Sequence, residues 1–415
     1  MDETKKSSKQ IMNEMIAATY VRAAEAKKAG KPICWATGIA PQELMTAMDI
    51  ATVYPENFGA AMGAKHFSGH FCEVAEAAGY SIDICSYARN HFGYIMEGGH
   101  VDDIVNLPMP DMVLCCSNTC TTVIKWYENL AKEHNIPCLF FDTPFVYQDG
   151  KATDHQVKYM EGEIYRIIAQ LEEITGRKFD YDKFKHVMEI SMQTGEAWMR
   201  AISVAKHTPS PICGFDMFNY MGVMVCDRGT EAARDLFNLW YEESMEKIAR
   251  GEGPWKDQEE KYRILWDGIA CWPQLNLTYK SLKKFGINMV ASNYPRCWML
   301  DYKEPTIAAM ARAYAENIPM NRDIPFDYNA TKETASTYNL DGMISHSNRS
   351  CKPMDFKQFE VRRGIMEEVG LPSCIFDGDQ TDPKVFSQAQ FETRLQSLVE
   401  IMEKNKAKKQ GGNGQ

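Results

Sequence analysis

The chain has 415 residues, 45% hydrophobic and 25% charged, a composition expected of a soluble globular protein of two or three domains. Its formal net charge of −10 argues against a general nucleic-acid binder and means that an anionic ligand needs a local positive pocket. No run approaches the roughly 20 apolar residues of a bilayer span, and the first residues carry no signal-peptide core, so a cytoplasmic location is expected.

An amphipathic helix is predicted over residues 8–29, ended by the breaker Gly30-Lys31-Pro32. A short strand follows at 33–37, a helix opened by Pro41 at 41–48, and a strand at 52–54 that runs into a Pro-Glu-Asn turn. Residues 60–78 and 82–96 read as helices. Strands at 111–116 and 138–142 flank a helix at 121–134, and this alternation indicates a parallel sheet. From about 155 to 250 the periodicity is helical, at 157–175, 181–206, 217–226 and 230–250. Strands then return at 263–269, 287–292, 343–346 and 373–376, with helices at 275–285, 306–314, 353–368 and 387–404. The expected division is an N-terminal helix plus a first α/β lobe over 1–154, a helical layer over 155–254, a second α/β lobe over 255–405 and a disordered tail over 406–415.

One phrase occurs twice. VLCCSNTC, a helix and NIPCLFFD occupy 113–142, while MISHSNRSC, a helix and GLPSCIFD occupy 343–377. In each copy an apolar strand ends in Ser-Asn, a cysteine follows within three residues (Cys120, Cys351), and a second strand starts after a Pro. Such a unit places the cysteine at the carboxyl end of a strand and the start of a helix, where open α/β sheets bind ligands and free backbone amides favour a thiolate. Cys85, near another helix start with Ser81 and Asp83 as capping residues, is a third candidate. Thirteen cysteines with no C-x-x-C pair argue against a disulfide framework or a zinc ribbon. The residues alone leave two readings open: three thiolates sharing an iron–sulfur cluster, or three ordinary turn and core thiols.

Several blocks, in order along the chain, resemble the (R)-2-hydroxyacyl-CoA dehydratase family, in particular its α-type subunit. They are Trp35 with Pro41-Gln42-Glu43-Leu44, Tyr54-Pro55-Glu56-Asn57, Asp83-Ile84-Cys85-Ser86-Tyr87-Ala88-Arg89, Cys115 to Cys120 with Lys125-Trp126-Tyr127-Glu128-Asn129, Gly268-Ile269-Ala270-Cys271-Trp272-Pro273, Asn348-Arg349-Ser350-Cys351-Lys352 and Phe376-Asp377-Gly378-Asp379-Gln380. The resemblance implies two truncated doubly wound, Rossmann-like α/β lobes with helical elements, and a 4Fe–4S cluster in the cleft between them. It implies that Cys85, Cys120 and Cys351 are the ligands, with one iron lacking a protein ligand. It further implies dehydration of an acyl-CoA substrate through a ketyl radical anion, a homologous β subunit as heterodimer partner and a separate ATP-hydrolysing Fe–S activator. This chain itself has no G-x-x-x-x-G-K-[ST] loop.

Glu56 is the candidate for a polar contact to the substrate hydroxyl or to water at the iron, against a surface turn carboxylate. Relatives often carry serine where this chain has Gly38, and Thr37 is the candidate replacement. Arg349 and Lys352 either offset cluster charge or face solvent. Asp377 to Gln380 form a turn first and a direct site second. Trp126, Tyr127 and Trp272 are read as packing residues, and His346 as a hydrogen-bonded strand end. The rival readings are a benzoyl-CoA reductase subunit, a non-catalytic electron-relay subunit and a zinc-bound structural protein.

Overall fold

The computed structural model describes residues 6–102, 104–117, 119–147, 150–317 and 322–412, with side chains as far as residue 408. Helix α1 (Ser8–Lys28) opens with a capping box in which Ser7 and Gln10 satisfy each other's backbone amides. Eight strands form two four-stranded parallel sheets. The first holds β1 (Ile33–Ala36), β2 (Ala51–Val53), β3 (Met112–Cys116) and β4 (Cys138–Phe141) in the order β2-β1-β3-β4. The second holds β5 (Tyr262–Asp267), β6 (Ile287–Ser292), β7 (Gly342–Asn348) and β8 (Ser373–Gly378) in the order β6-β5-β7-β8. In the first sheet Cys34 lies between Thr52 and Met112; in the second, Ile344 lies between Trp266 and Cys374. The strand order is the same in both. Each sheet therefore has one switch point, between β1 and β3 and between β5 and β7, where connections leave in opposite directions and open a crevice.

The first lobe carries α2 (Gln42–Ala47), α3 (Pro55–Ala64), α4 (Ser68–Ala77), α5 (Ser86–Met96) and α6 (Thr121–His134). Next come α7 (Asp154–Thr175), α8 (Tyr181–Ser203), α9 (Gly214–Cys226) and α10 (Glu231–Ala249). The second lobe adds α11 (Leu275–Lys284), α12 (Ile307–Glu316), α13 (Ile324–Thr337), α14 (Lys352–Gly364) and α15 (Gln388–Gly412). The helical stretch is shared out between the lobes. Helix α7 packs on β4 and α12, α8 on α2 and α10, and α9 on β6 and α1. One contiguous apolar core runs through all of it, with Trp35 and Trp126 in the first lobe, Trp198 in the helical stretch and Trp266 in the second lobe.

Four local expectations are corrected. The predicted 60–78 helix is two helices, because His66 takes the left-handed conformation (φ 64°) and turns the chain. The turn lets α4 lie against α5 so closely that a Cβ on Gly93 would stand 1.9 Å from the Phe71 carbonyl. The Pro-Glu-Asn segment is no turn: Pro55 starts α3 at its first position and carries Glu56 into the first helical turn. Residues 324–337, left unassigned by periodicity, form α13, capped by Asp323 onto the Phe326 amide. Of the tail expected over 406–415, the part up to Gly412 continues α15, with Lys406 paired to Asp341 at 3.0 Å and lying over the Tyr262 ring, and 413–415 lie outside the described residues.

A buried ion pair ties the three stretches together. Glu43 Oε1 accepts from Arg228 Nε at 3.0 Å, Ser191 Oγ at 2.9 Å and Tyr302 Oη at 3.1 Å. Arg228 also donates to Tyr314 Oη and the Ala40 carbonyl. Both side chains are almost inaccessible to solvent, so removing one partner strands the other's charge. Arg228→Met is expected to lower stability by about 3–5 kcal/mol in urea unfolding; a loss of less than about 1 kcal/mol would show the pair to be dispensable.

Candidate functional site

The loops that leave the carboxyl ends of both sheets face one cleft. From the first lobe come Thr37-Gly38 after β1, Glu56 after β2 and Cys120 after β3; from the second, residues 268–272 after β5, Tyr294 after β6, Cys351 after β7 and Asp379-Gln380 after β8. Cys85, Cys120 and Cys351 each occupy the N-cap of a helix, α5, α6 and α14. Cys85 itself, rather than Asp83, holds that position, because α5 starts at Ser86. Cys120 Sγ accepts the Val123 amide at 3.4 Å.

The two lobes are stitched together at Cys85. The Ser86 amide donates to Ser350 Oγ at 3.1 Å, the Ser86 hydroxyl bonds Asp379 and Thr381, and Gln380 Nε2 donates to Cys85 Sγ at 3.0 Å. Tyr87 accepts from Trp272 Nε1 at 2.7 Å, and Arg89 pairs with Asp382 at 2.9 Å and with Glu76. The block Cys85-Ser86-Tyr87-Ala88-Arg89 thus reads as the first-lobe half of a lobe-to-lobe clasp. Its second-lobe half is the block ending in Asp379-Gln380.

Burial, then the neighbouring Cys351 and Cys120, push the Cys85 thiol well up. Burial also raises Cys120 and takes Cys351 up to about 12, against backbone amides that pull both down. The lowering expected from helix starts alone is therefore outweighed by desolvation at all three thiols. Among the described residues no three His, Cys, Asp or Glu side chains converge on a single ion. Around them, Thr119 Oγ1, Asp379 Oδ2, Gln380 Oε1 and both amide atoms of Asn348 are buried without a hydrogen-bond partner. Asn118 lies outside the described residues.

Glu56 is not a surface carboxylate. Its Oε1 accepts the Gly38 amide at 3.0 Å, and its Oε2 lies 2.7 Å from Tyr127 Oη, which is also 2.8 Å from the Ala36 carbonyl. The phenol has one proton for two acceptors. Burial raises the Glu56 pKa, against the hydrogen bonds from the Gly38 amide and Tyr127 that lower it. Tyr127, read as a packing residue, is thus a polar part of the site. Thr37 is fully buried and its hydroxyl accepts the Cys116 amide at 3.2 Å, which directs it into the sheet end. A side chain at Gly38 would meet nothing closer than Trp298 at 4.0 Å, so the position has room for one.

Arg349 is tied to Asp377 and Lys352 to the Arg349 carbonyl, so both serve the rim of the second lobe. His346 is buried, with Nδ1 2.6 Å from the Ile269 carbonyl and its ring stacked on Phe376. Trp126 donates to His91 at 3.1 Å within the core. Tyr294 was not foreseen: buried after β6, it lies close enough to Tyr87, Cys351 and Glu56 to be perturbed by each. Trp298, also unforeseen, donates across the cleft to the Gly38 carbonyl at 3.1 Å.

A family model described as 2-hydroxyglutaryl-CoA dehydratase, D-component, matches residues 37–402. The chain belongs to this dehydratase family. It is 42% identical over 98% of its length, and 99% of the relative's, to the (R)-2-hydroxyisocaproyl-CoA dehydratase alpha subunit of Clostridioides difficile. It is 40% identical, over 96% of each chain, to the (R)-phenyllactyl-CoA dehydratase alpha subunit of Clostridium sporogenes. A benzoyl-CoA reductase subunit of Thauera aromatica is more distant, at 28% identity over 97% of this chain and 96% of that one. The chain is therefore an α-type subunit of the dehydratase family, a family of hydro-lyases. Among the described residues, no helix of this family member is long and apolar enough to cross a membrane.

Proposed function

We infer that this chain is the cluster-bearing subunit of an oxygen-sensitive (R)-2-hydroxyacyl-CoA dehydratase, working with a homologous β subunit and a separate ATP-hydrolysing Fe–S activator. What carries this reading is the meeting of Cys85, Cys120 and Cys351, from three helix starts and both lobes, in one cleft. Such a set would hold a 4Fe–4S cluster by three thiolates and leave one iron without a protein ligand. When bound, that group supplies one-electron chemistry and a Lewis-acidic iron beside the thioester. The β-proton of a 2-hydroxyacyl-CoA is not acidified by the thioester carbonyl. A one-electron reduction to a ketyl radical anion that expels the 2-hydroxyl as hydroxide would leave a neutral radical whose β-proton is acidic, and the added electron would be given back after deprotonation to yield the enoyl-CoA.

The chain's own residues supply position and protons. Glu56, protonated and held by the Gly38 amide and Tyr127, offers a proton to the departing hydroxyl. Trp298, bonded to the Gly38 carbonyl, and Trp272, bonded to Tyr87, tie the second lobe to the first beside these residues. Anaerobic purification with the β subunit, iron and sulfide analysis, and turnover of 2-hydroxyacyl-CoA thioesters with the activator test the reading. Enoyl-CoA formed without net electron uptake supports it. A preparation free of iron overturns it, and a cyclic diene formed from benzoyl-CoA with stoichiometric electron uptake replaces it with the reductase.

Gln380 has a separate consequence. Its amide donates to Cys85 Sγ, and hydrogen bonds to cluster sulfurs stabilise the reduced state. Gln380→Leu is expected to keep its iron and shift the midpoint potential to more negative values in an anaerobic redox titration. An unchanged potential would remove Gln380 from this role.

A further inference from the structure

A 2-hydroxyacyl thioester has two oxygens beside its reacting carbons, the hydroxyl that leaves and the carbonyl that takes up negative charge on reduction. Glu56 is the donor for the first. The second calls for a donor of its own, one that is uncharged, keeps its proton and stands between Glu56 and the thiols.

One phenol meets these conditions. Tyr294 follows β6 and is only 9% exposed. Its ring meets Trp298 edge to face at 4.9 Å, Trp298 donates to the Gly38 carbonyl, and the Gly38 amide donates to Glu56. On its other side the Tyr294 hydroxyl is hydrogen-bonded to that of Tyr87, and both Cys351 and Glu56 lie within electrostatic reach of it. The phenol therefore stands among a second-lobe thiol, a first-lobe carboxyl and the clasp at Cys85.

The direction of the bonds behind it decides what it can do. Trp272 Nε1 has only a proton to give, and gives it to Tyr87 Oη at 2.7 Å. Tyr87 in turn points its own proton at Tyr294, the sense in which their bond raises the Tyr87 phenol and lowers that of Tyr294. Tyr294 accepts in that bond, so its own proton is still to be placed, and no hydrogen bond among the described residues takes it up. Donors aligned in series strengthen the last of them. Trp272, Tyr87 and Tyr294 thus end in one polarised O–H.

We propose that Tyr294 is a catalytic residue of the dehydration, its hydroxyl donating a hydrogen bond to the thioester carbonyl oxygen, with Tyr87 and Trp272 as positioning residues behind it. The proposal rests on the acyl-CoA reading above. The proton stays on Tyr294, and no bond of the phenol is made or broken. A neutral donor aimed at an oxygen that gains charge holds the reduced carbonyl more tightly than the thioester, so its effect falls on the rate rather than on substrate binding.

Isotope-edited infrared spectra of the full chain with its partner subunit, purified anaerobically and not yet activated, read this contact without turnover. The probe is a 2-hydroxyacyl-CoA labelled at its thioester carbonyl. In the wild type the bound carbonyl is expected to absorb at lower frequency than the free thioester. In Tyr294→Phe the band moves back up, and after activation kcat falls about 10²–10³-fold with KM close to wild type. Tyr87→Phe moves the band part of the way, while Tyr165→Phe, exposed on α7, changes neither band nor kcat. A fluorinated tyrosine at 294 keeps the hydroxyl and makes it more acidic, so the band drops below that of the wild type; this variant reports even if Tyr294→Phe fails to fold. A folded Tyr294→Phe whose bound carbonyl absorbs as in the wild type overturns the proposal whatever its kcat, and enoyl-CoA formed by the wild type then leaves the dehydratase reading standing. A fluorinated variant with an unmoved band overturns it equally. A wild type that neither binds the thioester nor forms enoyl-CoA sinks both the proposal and the reading beneath it.

Discussion

Replacing Cys85, Cys120 or Cys351 singly with alanine is expected to strip the iron from the anaerobically purified protein and abolish dehydration. Each thiol comes from a different helix start, so no neighbouring cysteine on the same turn can take its place. The fold should survive. Cys120→Ala removes a cap on the Val123 amide, worth about 0.5–2 kcal/mol, and Cys85→Ala leaves Gln380 without its sulfur acceptor. Cys138 and Cys374 are the matched controls, because they are half-buried like the three but lie on strands β4 and β8. Their alanine variants should retain full iron and the reduced-state electron paramagnetic resonance signal. Full iron in Cys120→Ala, or loss of iron in Cys374→Ala, would overturn the assignment.

Glu56→Gln is expected to leave the fold and KM close to wild type while lowering kcat by about 10²–10⁴-fold. A glutamine can still accept the Gly38 amide and donate to Tyr127, so the local hydrogen bonds persist. What it cannot do is release a proton. The sign of the pH dependence follows from the direction of the shift. Burial raises the Glu56 pKa, so the protonated, donating form persists above the ordinary carboxylate range and is lost as pH rises through the raised value. Activity should therefore fall along an alkaline limb governed by Glu56, and that limb should vanish in Glu56→Gln. Wild-type kcat in the variant would reduce Glu56 to a structural strut.

Much of the site could be read from local pattern. The repeated Ser-Asn phrase located Cys120 and Cys351, because a strand, a turn and a helix start are each encoded within a few residues. Cys85 was weaker, visible as a helix start but with its cap assigned to Asp83. The signals that failed were those overridden by packing. Glu56 looked like a turn residue until Pro55 began a helix there, and Tyr127 looked like core until its hydroxyl met Glu56. Gln380 bonds a sulfur 295 positions away in the chain, and Tyr294 and Trp298 enter the cleft from a corner with no motif of its own. The start of the 406–415 tail is lysine-rich, yet Lys406 finds Asp341 and Tyr262.

Sequence alone determined the alternation of strands and helices, the two parallel lobes and the thiols at the ends of strands, since these depend on periodicity, breakers and caps that act over a few residues. Tertiary structure alone decided which groups face one another between the lobes: Ser86 with Asp379, Gln380 with Cys85, and Trp298 with Gly38. Those pairings depend on how two separately encoded lobes dock. Desolvation at that junction then raises the pKa of Glu56 and of the three thiols, a shift that no short stretch of chain contains.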